Sequence, residues 1–172
     1  FAGHVVVGEA EDVIVDLVEG RRSEPIVYGK PLENLDTLPH PDFSLIKGFR
    51  PYSPLLPIST SRGCPFDCSF CSVTKMFGRK YRFRSADNII SEMKSRNTKS
   101  FFFCDDNFTA HPTRTRKLLS LLLKHKLNNW SCQVRCDAAK DKGLLNLMSQ
   151  AGCKLVCVGF ESINPMTLKA YQ

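Results

Sequence analysis

The sequence predicts an α/β protein built on part of a parallel (β/α) barrel, and three observations predict it. From residue 55 onward, four apolar strand-like segments recur, each followed by a segment of helical periodicity. Polar residues out of keeping with a core gather where those strands end. Three cysteines stand in the loop after the first strand, "SRGCPFDCSFCSVTK" (61–75), at a spacing of Cys-x3-Cys-x2-Cys.

The elements follow in order. Residues 1–20 read as a strand (His4–Val7), a turn at Gly8 and a short acidic helix. Residues 21–54 carry six prolines and little periodicity, as a connector between domains would. Residues 55–172 hold the four strand–helix units. The first strand is "LLPISTS" (55–61); its helix starts after Ser85 as N-cap, with Asp87 in the first turn and Ile89, Ile90 and Met93 on one face. The second is "SFFFC" (100–104), running into Asp105-Asp106-Asn107; Pro112 suits the first helical position, and Leu118, Leu119, Leu122 and Leu123 continue that helix. The third is "WSCQVRC" (130–136), whose helix carries Leu144, Leu145 and Met148 and stops at Gly152. The fourth is "KLVCVGF" (154–160), after which Asn164 caps a helix beginning at Pro165. Such alternation requires right-handed crossovers between parallel strands. Chemistry in barrels collects where strands end, and the cysteine loop, Asp105-Asp106-Asn107, Arg135 and Glu161-Ser162 all sit there.

A length of 172 residues suffices for one domain with a real core, and apolar and charged fractions of 42% and 24% are those of a globular chain. No apolar run approaches the ~20 residues that cross a bilayer. Both ends read as cut, so the chain is expected to be a fragment, and the lack of a leader is uninformative. The net charge of +7 is unevenly spread: residues 1–40 hold three Lys/Arg against eight Asp/Glu, and residues 41–172 hold twenty-one against nine. "KMFGRKYRFR" (75–84) brings five cations and no acid. It reads as a solvated loop, as a nucleic-acid groove with Phe77, Tyr81 and Phe83 as stacking sites, or as charge balance for a bound anionic cluster.

Eight cysteines in a chain too large to need staples point to a metal site in a reducing compartment, the cytoplasm, rather than to a disulfide framework. Three buried thiols would be the plain alternative, but Gly63, Pro65, Asp67, Ser69 and Ser72 make the surroundings polar and turn-forming. A structural zinc needs a fourth ligand. Cys132 and Cys136, and Cys153 and Cys157, lie four apart on strands and read as packing pairs, and the four histidines form no pair at metal spacing. An iron–sulfur cluster suits three thiolates on one loop, leaving one iron open.

"CPFDCSFC" after a strand, with an aromatic before the last cysteine, resembles the radical S-adenosylmethionine (radical SAM) superfamily. The resemblance covers residues 54–172. It implies a partial (β/α)6 TIM-like barrel, a [4Fe–4S] cluster held by Cys64, Cys68 and Cys71, and S-adenosyl-L-methionine on the open iron. Phe70 would lie near the adenine. The family's Gly-Gly-Glu stretch is replaced here by "CDDNF", so Asp105 or Asp106 would take the methionyl amine. Arg135 would pair with the methionyl carboxylate, and Glu161 with Ser162 would hold the ribose. The implied chemistry is reductive cleavage to methionine and a 5′-deoxyadenosyl radical. Arg62, Lys75 and Arg79 would favour the reduced cluster if they point inward. "VVVGEAEDVIVDLVEG" resembles the end of the cobalamin-binding domain that precedes many such barrels, which implies cobalamin and methyl transfer or cyclisation. The implied partners are a one-electron reductase (flavodoxin or ferredoxin) and a small-molecule or lipid-like substrate. An RNA-modifying enzyme and a non-catalytic zinc-binding module are the alternatives.

Overall fold

The structure, a computed structural model, describes residues 3–47, 55–96, 98 and 100–171. Its elements are β1 (Val5–Val7), α1 (Ile14–Val18), β2 (Ile26–Tyr28), β3 (Leu55–Ile58), β4 (Ser61–Arg62), α2 (Val73–Phe77), β5 (Arg82–Phe83), α3 (Ala86–Ser95), β6 (Ser100–Phe103), α4 (Pro112–Lys124), β7 (Trp130–Arg135), α5 (Lys142–Gln150), β8 (Cys153–Gly159) and α6 (Pro165–Ala170).

Strands β3, β6, β7 and β8 form one parallel sheet in chain order, an open arc of barrel with no closure among the described residues. Period-two alternation assigns its faces. Ile58, Phe101, Phe103, Trp130, Cys132 and Val134 point to the helices and are buried. There they meet Ile89, Ile90 and Met93 of α3, Leu118, Leu119 and Leu122 of α4, and Leu144 and Met148 of α5. Phe103 stacks on Phe108 at 4.9 Å, and Trp130 tilts against both rings at 5.3 and 5.4 Å. The Trp130 Nε1 donates to the Ala151 carbonyl at 2.8 Å, so its one polar atom is satisfied inside the core. Leu123, expected on the apolar face of α4, is instead 40% exposed.

The caps follow from side chains. Ser85 accepts from Asn88 N, Asp141 from Leu144 N, and Asn164 from Met166 N. His111, which carried no capping signal in the sequence, caps α4 by accepting from Arg114 N at 3.3 Å.

Two sequence expectations are corrected. The connector 21–54 was expected to be irregular, yet it contributes β2, which pairs in parallel with β1 (Val5↔Ile26, Val7↔Tyr28). Three residues are too short a run for periodicity to register. The second correction concerns cysteine pairs. Pairing of β7 with β8 shifts between Trp130↔Cys153 and Ser131↔Leu155, so Lys154 is an extra residue on β8. The shift turns Cys153 toward the core and Cys157 to the other face, so the two do not share a side. Cys136 lies beyond the end of β7 and is exposed, while Cys132 is buried.

Candidate active site

At the carboxyl ends of the sheet strands the chain encloses a cavity of about 540 Å³. The cysteine loop forms one wall, contributing Cys64, Cys68, Phe70 and Cys71. Asp106 and Asn107 after β6, Gln133 and Arg135 on β7, and Cys157, Gly159 and Glu161 on and after β8 supply the others. Five cysteines therefore line one space. Three lie on a loop, and Cys136 and Cys157 come from the strand ends.

The loop is shaped locally. β4 pairs antiparallel with β5, fixing the backbone two residues before Cys64. Gly63 follows at φ +83°, and a Cβ there would sit 2.7 Å from the Lys80 carbonyl oxygen, so this turn requires glycine. Cys71 N donates to the Cys68 carbonyl at 3.0 Å, and Thr74 Oγ1 to the Phe66 carbonyl at 3.2 Å. The far side is tied to α6: Ser69 N donates to the Tyr171 carbonyl at 3.1 Å, and the Phe70 and Tyr171 rings lie 4.9 Å apart.

Arg135 is the cation of the cavity. Its Nη1 lies 3.2 Å from Cys68 Sγ, its guanidinium stands 4.0 Å over the Phe66 ring, and its Nε is 3.3 Å from Asp137. Burial pushes the Cys64 thiol up, and the negative charge of Asp106 adds to that, while a backbone hydrogen bond from Phe66 and the charge of Arg135 oppose it. Asp106 is also raised, by desolvation and by neighbouring Asp105. Glu161 adopts φ +59°, an uncommon conformation for a non-glycine residue, at the lip of the cavity.

Two expected site residues are not brought to the cavity. Asp105 is 1% exposed and faces β3: its Oδ1 accepts from Thr60 N at 2.7 Å and from Ser61 N at 2.9 Å, and its Oδ2 from the Thr60 hydroxyl. Arg114, whose Nη2 donates to the Thr60 carbonyl at 2.8 Å, completes this buried joint. Adjacent acids on a strand end necessarily point opposite ways, so only Asp106 faces the cavity. The Ser162 hydroxyl accepts from Asn164 N at 3.0 Å and shapes the turn into α6.

Of the cations expected around the cluster, Arg62 is turned to the upstream acids, Arg79 meets Asp67 of the cysteine loop at the surface, and Lys75 stands exposed on α2. Arg62 pairs with Glu9 and Glu11, Arg79 with Asp67, Lys80 with Glu33, and Arg84 with Glu92. Phe83 packs between Tyr81 and His111 under Arg114. Arg82, Phe83 and Arg84 are thus engaged within the protein, while Lys75, Arg79 and Lys80 stay exposed.

The donor set bears on which metal group fits. Among the described residues no group of three or more His, Cys, Asp or Glu side chains converges tightly enough to hold a single ion, although five thiols, three of them on the loop, line one cavity. Thiolates that each take a different iron of a cube stand farther apart than ligands closing on one ion. Three soft thiols on one loop wall are a donor set that suits an iron–sulfur cluster.

A family model described as the Radical SAM superfamily matches residues 58–172. The chain belongs to that superfamily. Among curated proteins, this radical SAM chain is 30% identical to bacteriochlorophyllide d C-12(1)-methyltransferase of Chlorobaculum tepidum, over 96% of this chain and 39% of that protein. It is 33% identical to the hopanoid C-2 methylase of Rhodopseudomonas palustris, over 66% of this chain and 23% of that one. Among solved structures it matches the radical S-adenosylmethionine methyltransferase TsrM of Kitasatospora setae, with cobalamin and a [4Fe–4S] cluster bound, at a TM-score of 0.60 and 25% identity. That match covers 68% of this chain and 24% of TsrM. The chain thus spans well under half the length of each of these relatives. No helix among the described residues is long and apolar enough to cross a membrane.

Proposed function

We propose that this chain is the cofactor-binding core of a radical SAM enzyme, with Cys64, Cys68 and Cys71 holding a [4Fe–4S] cluster on the loop wall of the cavity. The observation that carries this reading is the meeting of three loop thiols with a cation, two carboxylates and an aromatic ring in one cavity at parallel strand ends. When bound, the cluster supplies the electron that cleaves S-adenosylmethionine reductively.

The chain's own residues bind and orient. Asp106 takes the methionyl amine, with Asp105 retained as the buried support that holds the end of β6 to the end of β3. Arg135, reaching Cys68 Sγ at 3.2 Å, offers a positive charge both to that thiolate and to the methionyl carboxylate. Glu161 reaches the ribose hydroxyls from the lip opposite the loop, and Phe70 covers the adenine. Ser162 supports Glu161 by shaping the turn after it. The apolar remainder of the lining keeps water from the reacting atoms.

The names of the relatives support methyl transfer to an unactivated carbon of a small, largely apolar molecule, such as a tetrapyrrole or a polycyclic lipid, as the reaction of the whole protein. Residues 1–20, together with β2, which pairs with β1, are assigned as the end of a cobalamin-binding domain, the rest of 21–54 as its linker to the barrel, and residues 55–172 as the radical core. A flavodoxin- or ferredoxin-type donor in the cytoplasm supplies electrons. An RNA substrate is not favoured, because Arg82 and Arg84 of the basic run are committed to the buried carboxylates of Glu9 and Glu92.

Anaerobic reconstitution of the full-length protein tests the reading. The expected outcome is about four irons per chain and 5′-deoxyadenosine on reduction with S-adenosylmethionine present, both lost in Cys68→Ala. Tightly bound zinc without iron absorbance would replace the enzyme with a zinc module. Undiminished turnover by Cys68→Ala would remove the ligand assignment.

A further inference from the structure

The upstream unit touches the barrel at one buried charged joint that the cofactor reading leaves unused. Arg62 and Arg82 are direct partners across the two-residue β4–β5 ladder. Like charges facing each other across a ladder repel. Here the carboxylate of Glu9 lies against both. Its Oε2 lies 2.8 Å from Arg62 Nη1 and 3.0 Å from Arg82 Nη1, and its Oε1 pairs with Arg82 Nη2. Leu32 N donates to Oε2 at 3.0 Å, and Arg82 Nη1 donates to the Leu32 carbonyl at 2.7 Å. The Arg82 and Glu9 side chains are 3% and 5% exposed. Glu11 takes the other arm of Arg62.

Glu9 has little freedom to stand elsewhere. A Cβ on Gly29 would lie 1.7 Å from the Glu9 carbonyl oxygen, so the chain ends after β1 and β2 are pressed together through glycine backbone. What Glu9 grips is the ladder that leads through Gly63 into Cys64.

We propose that Glu9 is a positioning residue for the cysteine loop: the upstream β1–β2 unit, by placing one carboxylate between two facing arginines, closes the β4–β5 ladder and so sets where Cys64 stands in the cavity. This rests on reading that loop as the cluster loop. The upstream unit then acts on the radical core as a brace as well as a neighbour, and its displacement would loosen the first cluster ligand without touching the other two directly.

The test compares full-length wild type with Glu9→Gln, with Glu19→Gln as control, since Glu19 pairs with Arg21 inside its own unit. In the apoprotein, hydrogen exchange at residues 61–64 and 80–83 should quicken at least tenfold in Glu9→Gln and stay unchanged in the control. After reconstitution, the electron paramagnetic resonance spectrum of the reduced cluster should broaden or shift in Glu9→Gln while iron content holds, with 5′-deoxyadenosine formation falling about tenfold. Exchange and spectrum identical to wild type would overturn the proposal and leave the cofactor reading intact. Wild type that binds no iron would overturn both, and the iron count separates the two failures. If Glu9→Gln does not fold, Glu11→Gln decides: it frees only one arm of Arg62 and should move both readouts the same way by less, and no movement would overturn the proposal.

Discussion

The four-stranded sheet and the β1–β2 unit are both parallel, yet different forces hold them. The sheet is covered by helices on one face and buries Trp130, Phe101 and Phe103 at 1% exposure or less. The upstream pair leaves Val5, Val7, Ile26 and Tyr28 between 45% and 72% exposed and is joined to the barrel by buried ions. Apolar burial is non-directional and tolerates small shifts. An ion pair taken out of water is stabilising only with its full set of partners. The sheet therefore supplies cohesion, and the charged joint supplies placement.

The largest effect expected from breaking this contrast lies in the sheet. Trp130→Ala removes the ring that contacts Phe103 and Phe108 and should cost about 3–5 kcal/mol of unfolding free energy, read from urea denaturation. A cost below about 1 kcal/mol would mean that the aromatic cluster is not the keystone of the core.

Next comes the joint. Glu9→Gln leaves Arg82 buried beside Arg62 without a counter-charge and should cost about 3 kcal/mol at neutral pH. The pH dependence follows from the Arg82 hydrogen bonds, which with those from Leu32 and Arg62 hold the Glu9 carboxyl at about 2, below its ordinary 4.5, against the opposing pull of burial. A depressed carboxyl stabilises the fold fully above the ordinary value and loses that contribution as pH falls. Urea midpoints should therefore drop between pH 4.5 and about 2 in wild type, and less steeply in Glu9→Gln. Equal slopes would show that Glu9 is not the group being protonated.

Gly63→Ala probes the hinge between the two regions. A side chain at φ +83° facing the Lys80 carbonyl should cost about 1–3 kcal/mol and lower iron retention before it lowers helix content by circular dichroism. Smallest of all, Lys80→Ala removes an exposed pair with Glu33 and should change stability by under about 1 kcal/mol. A larger loss would place a structural charge where the fold shows a solvated one.

The sheet was legible in the sequence because burial writes itself as periodicity. The four strands, Ser85, Asn164 and the helix starting at Pro112 could be read from apolar spacing and caps alone. The cysteine loop was legible because its spacing is chemically uncommon. The joint was not, since Glu9 and Arg82 are 73 positions apart and each looks like an ordinary surface charge. Asp105 and Asp106 were indistinguishable as letters, because strand parity decides which of the two faces the cavity. Cys136 and Cys157 were taken for packing residues, as nothing in the local pattern announced where β7 ends or that Lys154 interrupts the register of β8.

That extra lysine settles which way the last wall faces. Strand β8 enters the sheet with one parity and leaves with the other, so Cys157, Gly159 and Glu161 form a row on the cavity side. Were Lys154 instead to pair opposite Ser131, every hydrophobic residue would stay in the strand and Cys157 and Glu161 would turn toward the helices. One unpaired residue thus stands between a strand that presents its acidic tip to the cavity and one that folds around the same core with its back to it.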